Sequence, residues 1–408
     1  VTPSSRRAVG PLLAVIAVGL LALNLRPGAT SVGPLMSEIV ADYGQGAVAS
    51  GLLTALPCLT FGIVGSLAVP VARVLGLTGT VLASFVLVAL GLLLRPTVDG
   101  FGLFVLLSVV ALLGPALGNV LLPAWIKQHG GTRVVGLMTL YSVVLASGAT
   151  AAAMLAVPLA GGEADGWRHS LPLWGLIGVA PVLVWAVVLT RTGHDFPPPP
   201  PEGQVKGRIL SSPRAIALTV MFGMQSLNAY CQFGLLPQIL TSEGTSPATA
   251  GVVVGVLSAF GIVGGLIVPT LVSRSRRLPW ICAGYGVLTA AGYGGLMLFP
   301  QVSPFVWGTV LGIAGLAFPT AIALIPARTC AVAVTARLSG IAQPLGYVLA
   351  AVGPLVAGGL LDATGSIPAV LSFLALTGVV LGVAGFVAAR PGTVDDDLAL
   401  RATPADGA

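Results

Sequence analysis

Apolar residues run along this chain in long stretches separated by short polar ones, and the lengths of the stretches decide what they are. Twelve fall at residues 9–36, 46–72, 77–94, 101–126, 134–159, 171–190, 214–240, 248–272, 278–299, 304–327, 337–361 and 367–389. About 20 apolar residues in a helix cross ~30 Å of hydrocarbon, whereas strands of a membrane barrel are about 10 residues long and alternate in polarity. The pattern predicts an all-α membrane protein with twelve transmembrane helices. The first stretch follows Arg6 and Arg7 as the core of a signal peptide would, but no small-residue cleavage site follows it, so a retained helix is expected.

The pattern also repeats. FGIVGSLAVP, from Phe61 to Pro70, returns as FGIVGGLIVP, from Phe260 to Pro269, with eight of ten positions identical at an offset of 199. Near the same offset GPALGNVLLPAWIK (Gly114 to Lys127) lies on GLAFPTAIALIPAR (Gly315 to Arg328), and VPLAGG (Val157 to Gly162) resembles PLVAGG (Pro354 to Gly359). Between the sixth and seventh stretches stands HDFPPPPPEGQVKGR, whose five prolines favour an extended linker. The expected organisation is a six-helix bundle over 1–192, a cytoplasmic linker over 193–213, a second six-helix bundle over 214–390 and a disordered cytoplasmic tail over 391–408. Parallel repeats of six helices are the internal symmetry of major facilitator transporters. The glycines of the repeated decapeptide, Gly62 and Gly65 with Gly261, Gly264 and Gly265, read as small faces for helix packing rather than as substrate contacts.

Composition agrees: 56% of residues are hydrophobic and 8% charged, with a mean hydropathy of +1.00, which excludes an ordinary soluble domain. The net charge of +6 is explained by placement. With the N-terminus in the cytoplasm, 16 of the 19 Lys and Arg fall on the cytoplasmic side, Arg95 and Arg168 fall outside and Arg26 lies within a span. That is the positive-inside bias, so the basic charge reports a multi-pass inner-membrane topology with both termini cytoplasmic, and no nucleic-acid partner is expected. Three dispersed histidines and four cysteines without ligand spacing give no nucleophile, metal or cofactor site. An enzyme is therefore not expected.

Candidate chemistry lies in polar residues that ought not to be in lipid. Arg26, in LALNLRPGAT, is followed by Pro27 and Gly28, which loosen a helix, and no acidic residue falls inside a span. Two readings fit it: counter-ion to an anionic or strongly polar substrate, or a snorkelling cation satisfied by helix carbonyls and Asn24. Gln225, Asn228 and Gln232 share one helix face, with Tyr230 off to the side; that stripe either lines a central cavity or bonds to neighbouring helices. Gln343 and Tyr347, an i, i+4 pair, and Asn119 extend the substrate-binding set. Tyr141, in the fifth span, is either a packing residue among apolar neighbours or, with Lys127 and Arg328, part of a gate or vestibule. Lys127 and Arg328 stand at helix ends, where a cation complements the dipole or draws an anion into a vestibule.

These segments resemble the cyanate and nitroimidazole permeases, a branch of the major facilitator superfamily. The resemblance covers nearly all spans, through NLRP (24–27), GLLTALP (51–57), NVLLPAWIK (119–127), GLMTLY (136–141), FGMQSLNAY (222–230), ART (327–329) and LSGIAQPLGYVLAAVGP (338–354). It implies twelve helices, no use of ATP, and movement of a small polar compound: uptake of an anion such as cyanate, or export of a drug-like nitroaromatic. Arg26, Gln225, Tyr230 and Gln343 match the family pattern. The chain departs from it after the second span, where Arg73 replaces an expected Asp, and in the seventh, where Cys231 and Gln232 interrupt an apolar run. The expected protein is a monomeric secondary transporter in a lipid bilayer, working by alternating access on a small-molecule substrate, with a proton or no ion coupled to it and a non-transporting sensor as the remote alternative.

Overall fold

The computed structural model describes residues 9–163, 165–196, 208–330 and 332–402. Among them, α1 (Pro11–Asp42) is followed by α2 (Ala47–Ser66), α3 (Ala68–Leu94), α4 (Phe101–His129), α5 (Val134–Ala160) and α6 (Trp167–Thr192). The second half holds α7 (Pro213–Gly234, continued by Leu236–Ser242), α8 (Pro247–Arg274), α9 (Leu278–Leu298), α10 (Pro304–Ala327), α11 (Val332–Thr364) and α12 (Ile367–Ala388). Eleven of these are both long and apolar enough to cross a membrane. The twelfth crossing is α7, long enough but carrying Gln225, Asn228 and Gln232 in its middle. The described residues nearest the two chain ends and those flanking the linker, 192–196 and 208–213, lie at one face, here the termini face; the opposite one is the far face.

Helix starts in the second half follow local chemistry. Ser212, Ser246 and Ser366 cap α7, α8 and α12, accepting from the amides of Ala215, Thr249 and Ala369 at 3.2, 3.2 and 3.4 Å. A proline follows within two residues in each case, where its missing N–H costs nothing.

The repeated decapeptide occupies equivalent places in two pseudo-symmetric bundles. A Cβ added to Gly62 of α2 would stand 3.1 Å from Val348 of α11, and one added to Gly261 of α8 would stand 3.5 Å from Ala146 of α5. Three residues on, Gly65 faces Ala116 of α4 and Gly264 faces Leu316 and Pro319 of α10. Gly62 and Gly261 therefore serve the seam between bundles, and Gly65 and Gly264 the packing inside their own bundle; the second copy adds Gly265 at the seam, where a Cβ would stand 3.5 Å from Ser142 of α5.

Along that seam the backbone-to-backbone clearance grows from the far face toward the termini face, with the Met154 side chain of α5 filling the space over Gly255 between them. At the far end a Cβ on Gly51 would lie 2.6 Å from the carbonyl of Pro354 in α11, and one on Gly251 would lie 2.8 Å from the carbonyl of Ala153 in α5. Nearer the termini face Gly261 and Gly265 have ordinary room, 3.5 Å each from α5. The bundles thus touch backbone to backbone at the far face and part toward the other. Arg168 braces the far ends of the first bundle, donating to Asp42 at 2.9 Å and to the carbonyls of Pro96 and Val98 at 2.9 and 3.1 Å.

At the termini face a buried carboxylate organises the first bundle. Asp195, just past α6 and 1% exposed, accepts from the Thr78 amide at 3.0 Å, the Thr78 hydroxyl at 2.6 Å and His129 Nε2 at 2.9 Å. Trp125 Nε1 donates to the same Thr78 hydroxyl at 2.9 Å, and Gln128 to the Asp195 carbonyl at 2.6 Å. The neighbouring turn requires glycine, because Gly76 has φ +79° and its Cβ would meet Asp195 Oδ1 at 2.8 Å. Burial by itself would raise the Asp195 carboxyl, but the hydrogen bonds from His129 and Thr78 outweigh it and hold the group below the usual carboxylate range.

The tail corrects an expectation. Rather than being disordered from residue 391, the chain forms α13 (Val394–Ala402). Asp397 pairs with Arg214 and accepts from Ser212 Oγ at 2.5 Å, the Val394 amide donates to the Arg328 carbonyl at 2.8 Å, and Val394 and Leu398 are buried. Asp395, Asp396 and Asp397 suit the first turn of that helix. The proline run of the linker, and residues 403–408, lie outside the described residues.

Replacing Asp195 with Asn removes the charge but keeps the shape, and is expected to cost about 2 kcal/mol at pH 7, the scale of charged hydrogen bonds. A carboxyl held below its unfolded value stabilises above about pH 4 and loses that contribution as pH falls through the folded value. Melting temperatures of the two proteins, well separated at neutral pH, should therefore converge in acid; a constant gap would rule out this role.

Candidate functional site

Arg26 stands where α1 breaks. The first segment ends at Asn24, and a second begins at Pro27, which has no N–H to continue the ladder. Thr30 and Ser31 then turn back, donating their hydroxyls to the carbonyls of Arg26 and Pro27 at 3.2 and 2.6 Å. The break aims the guanidinium between the bundles. There Arg26 Nη1 donates to the hydroxyl of Tyr230 on α7 at 3.2 Å, and the guanidinium lies 6.0 Å from the ring centroid of Phe318 on α10.

Aromatic rings from both bundles close around it. Tyr347 of α11 sits edge-on to Phe61 of α2 at 5.5 Å and to Phe222 of α7 at 5.1 Å, and Phe222 reaches Phe318 at 5.7 Å. Arg26 is also within electrostatic reach of the Tyr347 and Tyr141 hydroxyls. Of its five donors, only the one to Tyr230 is committed to a side chain or carbonyl among the described residues, and none faces a carboxylate. A guanidinium with donors to spare, between π-faces and phenol hydroxyls, can hold an anionic or electron-rich planar group.

The structure sorts the other predicted residues. Tyr230 and Tyr347 join Arg26 at the centre, and Tyr141 donates to Asn119 Oδ1 at 3.2 Å, tying α5 to α4 beside it. Gln343, one turn before Tyr347, donates to Ser339 Oγ at 2.7 Å and is half-buried. Asn24 turns away: it donates to the Leu20 carbonyl at 3.0 Å, and its Oδ1 faces Gly178 of α6.

The polar stripe of α7 also faces the interior of its own bundle rather than the cavity. Asn228 bonds with Thr377 of α12 at 3.0 Å, and Gln232 donates to Tyr293 of α9 at 3.2 Å. Gln225 shares their flank and is 3% exposed. Of the two roles open to the stripe, helix-to-helix bonding is the one built for Asn228 and Gln232; the cavity face of α7 is the opposite one, carrying Tyr230.

Lys127 is exposed at the termini-face end of α4. Arg328 is used structurally, donating to the Ala389 carbonyl at 2.7 Å while its own carbonyl receives Val394. Phe61, Phe222 and Phe318 were not anticipated. Phe61 stands in the repeated decapeptide, where its counterpart Phe260 packs on Gly312 instead, so only the difference between the copies could have marked it.

A polar site enclosed at mid-membrane by two symmetric six-helix bundles defines a membrane transporter, and comparison with known proteins agrees. Residues 18–354 match the family model of the Major Facilitator Superfamily, and the chain belongs to that family. It is 33% identical to an uncharacterized transporter, YycB, of Bacillus subtilis (strain 168), over 91% of this chain and 92% of that one. It is 30% identical to the 2-nitroimidazole transporter of Escherichia coli (strain K12), covering 93% and 96%, and 25% identical to the cyanate transport protein CynX of the same organism, covering 85% and 89%. Among solved structures, a bacterial homolog of the human lysosomal transporter Spinster, inward-facing and unoccupied, superposes with a TM-score of 0.74 at 15% identity, over 98% of this chain and all of that one. The protein is thus a multi-pass secondary transporter and not an enzyme.

Substituting Asn228 or Gln232 by Leu should lower thermal stability by the ~0.6–1.7 kcal/mol that interhelical hydrogen bonds are worth in a bilayer. Solute affinity should stay within about twofold. A tenfold loss of affinity at unchanged melting temperature would return these residues to the binding face.

Proposed function

We propose that this transporter carries a small anionic or polar solute, of the cyanate or small-carboxylate kind, across the cytoplasmic membrane by alternating access. The observation that carries the reading is the single cation at the centre, Arg26, with uncommitted donors and no carboxylate beside it among the described residues. An Arg at the centre of a membrane helix costs ~2.5–3.5 kcal/mol on insertion scales, and an anion between the bundles offsets that cost when bound. Arg26 binds the negative end, Tyr230 and Tyr347 supply hydroxyls, and Tyr141, Asn119 and Gln343 line the approach from the termini face. The excess of cations at that face supports a cytoplasmic assignment for both termini. One chain contributes both halves of the site, in keeping with a monomer.

A second reading, export of a small nitroaromatic, is favoured by the rings of Phe61, Phe222, Phe318 and Tyr347. A flat solute stacks on such walls, and a nitro group presents two oxygens to Arg26 as a carboxylate does. The relative named as a 2-nitroimidazole transporter supports it as well.

Purified protein melted in the presence of cyanate, acetate or 2-nitroimidazole separates the two, since a ligand bound only by the native state stabilises it by RT ln(1 + [L]/Kd). Stabilisation by anions, reduced about 10- to 100-fold in affinity by Arg26→Gln, is expected. Stabilisation by neutral 2-nitroimidazole alone would favour the second reading, and unaltered affinity in a well-folded Arg26→Gln protein would remove Arg26 from either.

Alternating access also makes a demand on the seam. Gly51→Leu places a side chain where the Pro354 carbonyl now stands, so the far face should fail to close. Uptake into vesicles should fall at least about tenfold while membrane insertion is retained, because overpacking of this size costs ~1–3 kcal/mol; normal uptake would show that this contact is not part of the cycle.

A further inference from the structure

A second arginine is buried in the first bundle, with two of its nitrogens lacking a protein acceptor. Arg95 begins a 3-10 turn (Arg95–Thr97) at the far end of α3 and is 1% exposed. Its side chain folds inward, and Nη1 donates to the Gly28 carbonyl, in the broken part of α1, at 3.0 Å. Nε and Nη2 are buried with no protein acceptor, and so is the hydroxyl of Ser108 on α4. Arg168, at the same face, shows the ordinary alternative, pairing with Asp42 and Asp99 at 2.9 and 3.8 Å. Arg95 has no such pair among the described residues. A buried cation left unpaired costs several kcal/mol, and buried donors without acceptors add to that.

Arg95 and Ser108 line a small cavity that also reaches Gly28, Thr54 and Tyr230. Its free space holds roughly two waters. It lies on the far-face side of Arg26, and Tyr230 belongs to both places: it borders this cavity and accepts the Arg26 hydrogen bond.

We propose that Arg95 and Ser108 form a second anion subsite, between Arg26 and the closed far face, for a monovalent anion of halide or linear triatomic size. Both residues border the same cavity, and between them two guanidinium nitrogens and a hydroxyl are buried without protein partners. Tyr230 then stands between two cations, so an anion released from Arg95 meets the Tyr230 hydroxyl before Arg26. As a station on the transport path the subsite rests on the anionic reading of the central site; as a binding site it stands without it.

The test uses the full chain in detergent, melted against sodium bromide with sodium gluconate holding the ionic strength constant. Arg26→Gln is expected to keep a saturable bromide-dependent rise in melting temperature. Adding Arg95→Gln should weaken its midpoint at least about tenfold, and adding Ser108→Ala instead should weaken it about three- to tenfold. If Arg26→Gln alone abolishes the response, the subsite is overturned and the central anion site stands. A response lost with Arg95→Gln but indifferent to Arg26→Gln, for cyanate as well as bromide, supports the subsite and overturns the central reading. Where Arg95→Gln does not fold, Ser108→Ala decides: an unchanged midpoint in the Arg26→Gln background overturns the proposal, as does wild-type protein that bromide does not stabilise.

Discussion

The hydrogen bond from Arg26 to Tyr230 is the interaction on which the rest of the site depends, because it joins the two bundles at a point where a full charge lies between them. In water such a bond would be minor. At mid-membrane the guanidinium has little else to satisfy it, so every neighbouring group is arranged with respect to it: the break at Pro27 that releases it from the helix, the ring of Phe318, and the phenol hydroxyls within its field. A solute that accepts from the same guanidinium competes with Tyr230 or adds to it. Either way it acts on a contact shared by both halves, which is how a small ligand can bias the position of two large bodies.

The seam between those bodies is built for repeated parting. Gly62 and Gly261 hold equivalent places on it, as do Gly51 and Gly251 farther out; Gly51, Gly251 and Gly62 lie against carbonyls of the other bundle, while Gly261 meets the Ala146 side chain. Arg168 with Asp42 at one face, and Asp195 with Thr78 and His129 at the other, act within the first bundle rather than across the seam. Those ties stiffen the first bundle, while across the seam glycine packing is joined by the Arg26–Tyr230 bond and, at the far end, by Gln238 donating to Ser50 Oγ at 3.2 Å.

Much of the fold was legible in the sequence, because hydrocarbon thickness sets helix length and a duplicated chain repeats its glycines. The α7 stripe shows where such reading stops. A spacing of three and four puts Gln225, Asn228 and Gln232 on one flank but does not name the neighbour, and the partners, Thr377 and Tyr293, come from helices 149 and 61 residues away in sequence. Tyr230, read as off to the side of the stripe, proved to face the cavity for that reason. Arg95 is legible in the sequence only as a cation on the outer side; the fold turns it back onto Gly28. The acidic tail resembled a solvated end until Arg214 and Ser212, more than 180 residues earlier, supplied its partners.

The graded clearance along the seam implies something about barriers as well as shape. Where Gly51 and Gly251 meet carbonyls there is no rotamer to unlock, and parting has to break the Gln238–Ser50 hydrogen bond and withdraw Met154 from over Gly255. The far ends can separate as rigid surfaces, losing dispersion contacts that solvent or solute at once replaces. What then remains across the centre is the Arg26–Tyr230 bond, whose hydroxyl has to trade partners whenever the bundles part there.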